Sequence, residues 1–231
     1  MTLEHRHFGA TAGFPVVLHH GLVGSAHVGD DWAQASADAG IHLIAVARPG
    51  YGQSPPVEMS CIADWFTLVA PVLDTVDAYA VWGVSAGAPY AYALAAQDPR
   101  VTRVAATSGL GHVADAGVRA LYNQTSQQAF DFFRTGHPDE VRRYWNDALG
   151  GGVTHDAGRE AILQQRPWGF DLAGIGVPVA LWHAREDTMV PFATAERMRD
   201  TIPGAVLHEQ PAPAHVPTLD TVRAALAFLG E

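Results

Sequence analysis

Residues 79–97 read Tyr79-Ala80-Val81-Trp82-Gly83-Val84-Ser85-Ala86-Gly87-Ala88-Pro89-Tyr90-Ala91-Tyr92-Ala93-Leu94-Ala95-Ala96-Gln97. An apolar run opens the stretch, as expected of a strand buried on both faces. Gly83-Val84-Ser85-Ala86-Gly87 follows and matches G-x-S-x-G, and an alanine-rich helical pattern closes the stretch. Strand, sharp turn and helix in that order are the setting in which this pattern carries chemistry. The serine sits in a strained backbone conformation, and the flanking glycines remove side chains that would collide across the turn. Ser85 is therefore the candidate nucleophile. The uncharged interval from Asp77 to Asp98 approaches the length of a membrane span. Gly83, Ser85, Gly87 and Pro89 in its middle suit a strand, a turn and a helix instead.

Outward from this stretch, short apolar runs alternate with longer helical patterns, which predicts βαβ units and a parallel sheet. Strands are expected at 15–20, 41–46, 79–83, 101–107, 178–182 and 205–209. Helices are expected at 32–39, 88–97, 193–200 and 218–229. Ile62, Trp65, Phe66, Val69, Val72, Leu73 and Val76 recur at helical spacing and predict one amphipathic helix. Residues 112–171 break the rhythm with helical patterns and no good strand. They read as a helical cap inserted into a core made of residues 1–111 and 172–231. Gly150-Gly151-Gly152 is a turn or hinge candidate inside the cap.

Composition narrows the function. Of 231 residues, 48% are apolar and 16% charged, which suits a folded globular chain. The net charge of −10 argues against nucleic acid and against anionic lipid as partners. All 14 basic residues are arginine. Schiff-base and Walker-type lysines are thereby excluded. The single cysteine, Cys61, allows neither an intrachain disulfide nor a cysteine-based zinc site, and it reads as a small core residue. The first residues carry no apolar segment of signal-peptide length, so a soluble, cytoplasmic protein is expected.

A serine hydroxyl needs a base within hydrogen-bond reach, and that base needs an orienting acid. Asp187 follows the strand at 178–182, and His215 follows the strand at 205–209. Both then lie at the carboxyl edge of the sheet, where sites of α/β proteins are built. The chain order Ser85, Asp187, His215 is the order this architecture uses.

These segments, with His20-Gly21 and Arg48-Pro49-Gly50-Tyr51-Gly52-Gln53-Ser54, resemble the α/β-hydrolase fold superfamily of the serine-nucleophile type with a helical cap. The resemblance implies a mostly parallel sheet of about seven strands flanked by helices. It also implies nucleophile Ser85, base His215, acid Asp187 and an oxyanion hole made by the backbone N–H groups of Leu22 and Ala86. Ala214 and Ala184 stand where the family often has glycine, and Leu22-Val23 replace a Gly or Phe of the oxyanion loop. The short N-terminus puts the first edge strand in doubt. The expected activity is cofactor-free hydrolysis of a small-molecule ester or lactone. Carbon–carbon bond hydrolysis, lyase chemistry on the same triad, and a non-catalytic ligand sensor are the alternatives.

Other residues read more plainly. Glu186 is the less suitable acid, because the shorter Asp187 fits the E-D-x-x-V-P frame. His20 reads as a structural hydrogen-bonder and His183 as a pocket-edge or core histidine. His5, His7, His19 and His20 lack ligand spacing, so no metal site is expected. Gly109-Leu110-Gly111-His112-Val113-Ala114 matches a dinucleotide pattern, but after a late strand and without an acidic partner, so no cofactor is expected. His112, Trp168, Phe170 and Met189 are candidate pocket residues.

Overall fold

The computed structural model describes residues 2–150, 156–211 and 213–231. In chain order the elements begin with β1 (His5–Gly9), β2 (Phe14–His19), α1 (Asp30–Asp38), β3 (Ile41–Val46) and α2 (Trp65–Val69). There follow β4 (Tyr79–Val84), α3 (Ala88–Gln97) and β5 (Val101–Thr107). Between β5 and β6 (Val179–His183) stand α4 (Ala116–Arg119), α5 (Gln124–Thr135), α6 (Pro138–Ala148) and α7 (Ala157–Gln164). The chain closes with α8 (Phe192–Thr201), β7 (Val206–Glu209) and α9 (Leu219–Leu229).

The strands form one seven-stranded sheet in the order β1-β3-β2-β4-β5-β6-β7. Only β1 runs antiparallel, against β3; the remaining pairs are parallel. The edge strand left in doubt is thus present. Alternate strand residues feed two cores, as the two-residue period of a strand requires. Val17, Ile44, Val81 and Val104 face the layer holding α2 and α3. Val16, Leu43, Trp82 and Ala105 face the layer holding α1 and α9. Both faces are covered, which explains why these strands read as continuous apolar runs.

The expected strands lie within a residue of those observed. The helix expected over 62–76 is broken instead. Ile62–Asp64 and Ala70–Val72 are 3₁₀ turns on either side of the five-residue α2. Pro71 is the cause: it has no N–H for the helical ladder, and its ring crowds the carbonyl four residues back. The apolar stripe still reaches its target, since Ile62, Trp65, Val69 and Leu73 are buried. Gly151 and Gly152 of the glycine run lie outside the described residues. No helix among the described residues is long and apolar enough to cross a membrane.

Strand order places the site. From β2 the chain moves outward to β3, then returns past β2 to add β4 on its other side. The loops leaving the carboxyl ends of β2 and β4 therefore diverge and leave a crevice between them. Leu22 follows β2 and Ser85 follows β4.

Candidate active site

Ser85 stands at φ +51, in the left-handed region where a side chain is strained. The turn leaves no alternative to its glycines. A Cβ at Gly83 would run into the backbone of Ala88, and one at Gly87 into the His19 carbonyl. A second serine, Ser108 after β5, has φ +48. The loop beyond it returns so that Leu110 N–H donates to the Ser85 carbonyl at 3.0 Å. That bond fixes the peptide plane that also carries the Ala86 N–H.

Ser85 Oγ lies 2.9 Å from His215 Nε2, and His215 Nδ1 lies 2.8 Å from Asp187 Oδ2. The three residues are far apart in sequence and meet at the carboxyl edge of β4, β6 and β7. Asp187 Oδ1 accepts the N–H groups of Met189 at 2.8 Å and Val190 at 3.0 Å. Burial by itself would raise the Asp187 carboxyl. Hydrogen bonds from His183, His215 and Val190 N–H outweigh that and hold it well below the ordinary carboxylate range. An ionised Asp187 selects the His215 tautomer that carries its proton on Nδ1, so Nε2 is free to accept from the serine hydroxyl. Glu186 has no part in this arrangement; it is exposed on the same loop.

Leu22, Ala86 and Ser85 share the wall of a cavity of about 400 Å³. The rest of that wall is mainly apolar, with Tyr122, Gln164, Gln165 and His215 as its polar members. Phe130, Phe133, Trp145 and Leu149 contribute from α5, α6 and the end of α6, and Trp32, Met189 and Val216 from the sheet side. Among the described lining residues there is no Asp, Glu or Arg.

Of the four expected pocket residues, only Met189 lines this cavity. His112, Trp168 and Phe170 stand elsewhere. Trp168 is buried, stacks on Tyr92 and Phe170, and meets His112 with ring centroids 4.5 Å apart. Its carbonyl accepts from Ala63 N–H in the turn before α2, and with the stacking on Tyr92 of α3 this holds the segment away from the cavity. Burial pushes the His112 imidazole below its ordinary value. Trp168 is core packing, and His112 and Phe170 are half-buried against it.

His19 and His20 are also structural. His19 Nδ1 donates to the Trp82 carbonyl and Nε2 accepts from Trp65 Nε1, and burial beside Arg48 pushes the ring down to about 3. His20 Nδ1 donates to the Gly21 carbonyl at 2.6 Å. His183 does more than its position in the sequence suggested. Buried at the end of β6, it donates Nε2–H to the Val190 carbonyl at 2.7 Å and lies 3.3 Å from Asp187 Oδ2. Sequence reading also missed Glu160 and Gln164 on α7, which reach the loops around Ser85. Nothing in the spacing of α7 points to partners 112 and 78 residues earlier.

Sheet topology, elbow and residue order together define one class. The chain belongs to the alpha/beta hydrolase family, whose model matches residues 16–227. Solved structures agree on the fold. An alpha/beta hydrolase fold protein from Nakamurella multipartita is 20% identical, with 99% of this chain and 95% of that one covered and a TM-score of 0.71. An esterase from Rhodococcus sp. is 24% identical, covering 98% and 94%, with a TM-score of 0.67. An enol-lactonase from Burkholderia xenovorans is 18% identical, covering 98% and 93%, with a TM-score of 0.68. No curated protein matches the sequence.

Proposed function

We propose that this protein is a serine hydrolase that cleaves an uncharged, largely apolar small-molecule ester or lactone through an acyl-enzyme. The observation that carries the reading is the continuous chain from Asp187 through His215 to Ser85 Oγ, ending in the apolar cavity. Ser85 Oγ attacks the carbonyl carbon while His215 Nε2 takes the hydroxyl proton. Asp187 holds the imidazole and stabilises its charged form. The N–H groups of Leu22 and Ala86 bind the oxyanion, where loss of one donor typically costs about 100–1,000-fold in rate. His215 then returns the proton to the leaving oxygen and activates a water molecule to release the acid.

The lining supports the substrate class. A cavity of about 400 Å³ falls in the size range of small-molecule sites. A charged substrate group would be desolvated there without a partner among the described residues, which is costly. Two structural neighbours are an esterase and an enol-lactonase, and both names denote acyl transfer from oxygen to water.

The test is hydrolysis of p-nitrophenyl esters from acetyl to dodecanoyl, wild type against Ser85→Ala. Activity that disappears in the folded variant is the expected result, with an optimum chain length set by the cavity. Equal turnover in a folded Ser85→Ala contradicts the reading.

A further inference from the structure

We propose that Arg48 and Glu160 are positioning residues for the oxyanion hole: α7 holds the Arg48 guanidinium, and the guanidinium holds the peptide that carries the Leu22 N–H. The proposal rests on the serine-hydrolase reading above.

The peptide unit between Gly21 and Leu22 carries the first oxyanion donor. It is planar, with the Gly21 carbonyl on one side and the Leu22 N–H on the other. Gripping the carbonyl therefore sets the direction of the donor. Arg48 Nη2 donates to that carbonyl at 3.2 Å, beside the 2.6 Å bond the carbonyl accepts from His20 Nδ1, and Arg48 Nη1 donates to the preceding His20 carbonyl at 2.5 Å. One guanidinium thus takes two consecutive carbonyls of the loop. A planar fork of donors suits this task, and a single ammonium does not.

The other edge of the fork belongs to α7. Arg48 Nε meets Glu160 Oε2 at 2.9 Å and Nη2 meets Glu160 Oε1 at 2.7 Å. Burial opposes a charge on Arg48, but the Glu160 carboxylate outweighs it and the guanidinium stays charged. The rings of Tyr90 and Tyr51 flank it at 4.7 and 5.2 Å. One turn further along α7, Gln164 Nε2 donates to Glu160 Oε1 at 3.1 Å and to the Ala86 carbonyl at 3.0 Å. A single helix thereby reaches the loops of both oxyanion donors. Arg48 and Glu160 are 1% and 5% exposed. Neither lines the catalytic cavity, so neither acts by touching substrate. A buried ion pair adds little to stability over well-packed apolar residues of similar volume. Its distinguishing property here is direction, because it points two carbonyls and hence one donor.

Two variants test this: Arg48→Lys, which keeps the charge but loses the fork, and Arg48→Met/Glu160→Leu, which removes both charges together. The readouts are melting temperature, kcat and KM on a p-nitrophenyl ester, and the rate of Ser85 labelling by a fluorophosphonate. Labelling also develops negative charge on an oxygen in the hole. Both variants are expected to lose about 10–100-fold in kcat and in labelling rate, with KM within about threefold, because displacement of a donor costs rate and not ground-state binding. Labelling should still reach full stoichiometry. Arg48→Lys labelled at the wild-type rate overturns the proposal. So does a double variant that melts like wild type and labels within about twofold of it, or a rate loss equal to the unfolded fraction. Wild type that fails to label, or Ser85→Ala that labels as well as wild type, overturns the serine-nucleophile reading instead, and this proposal with it.

Discussion

The sheet and the helices between β5 and β6 meet over Ser85, and they are built on opposite rules. Strands β2 to β6 are buried on both faces, and the loops after β4 and β6 hold Ser85 and Asp187 by backbone hydrogen bonds. Helices α5 and α6 are largely exposed and keep only a narrow buried face: Phe133 from α5 and Val141 from α6. The sheet region therefore fixes where the Ser85 hydroxyl, the His215 imidazole and the Asp187 carboxylate meet. The helical region shapes the cavity above them, and through Glu160 and Gln164 it also reaches down to the loops around Ser85. Changes in the sheet region should act on kcat or on stability, and changes in the cavity-lining residues of α5 and α6 on substrate choice.

The largest break in that pattern should come from Asp187→Asn. The geometry is kept but the imidazole tautomer is lost, so kcat should fall about 10⁴-fold. The same variant gives a pH signature. Folding holds the Asp187 carboxyl below its ordinary value. The stability it contributes is fully present above the unfolded carboxylate value, about 3.9, and is lost as the pH falls toward the folded value. Denaturant midpoints should show wild type exceeding Asp187→Asn by a constant margin above about pH 5, with the margin shrinking below about pH 4.

Trp168→Ala should cost about 3–5 kcal/mol of stability, the usual loss for a buried aromatic, while KM for esters stays unchanged. A marked KM effect would return Trp168 to the pocket wall. Phe130→Ala should do the reverse. It enlarges the cavity, moves the preferred acyl chain to longer esters and changes kcat on the best substrate only a few-fold. The smallest effect is a gain. Ser85→Gly abolishes activity but relieves the strain at φ +51, and it should raise stability by about 1–2 kcal/mol in thermal unfolding.

The same contrast governs what could be read from the sequence. Buried parallel strands leave uninterrupted apolar runs, so 41–46 and 101–107 were legible to the residue. The elbow was legible because its glycines are demanded by contacts within a few residues or with the next strand. Asp187 and His215 were legible because their positions just past strand ends define one edge of the sheet. Pro71 was visible but outweighed by an apolar spacing that a 3₁₀ turn serves almost as well. The helical region was not legible in detail, because its partners are distant. Trp168 reads the same whether it turns up into a cavity or down onto Tyr92. Glu160 reads as an ordinary helix residue until the fold brings Arg48 against it. His183 is a histidine at a strand end, and only the return of the Asp187 loop gives it a carboxylate.

The central claim is that Ser85 is acylated during turnover. Mixing the protein with a p-nitrophenyl ester, quenching in acid within the first turnovers and measuring intact mass tests it directly. Acylation of Ser85 gives a burst of nitrophenol and a mass increase equal to the acyl group, carried on the peptide containing Ser85 and absent from Ser85→Ala. Ester turnover by wild type that continues unchanged in a folded Ser85→Ala, with no acylated species trapped from either protein, would contradict it.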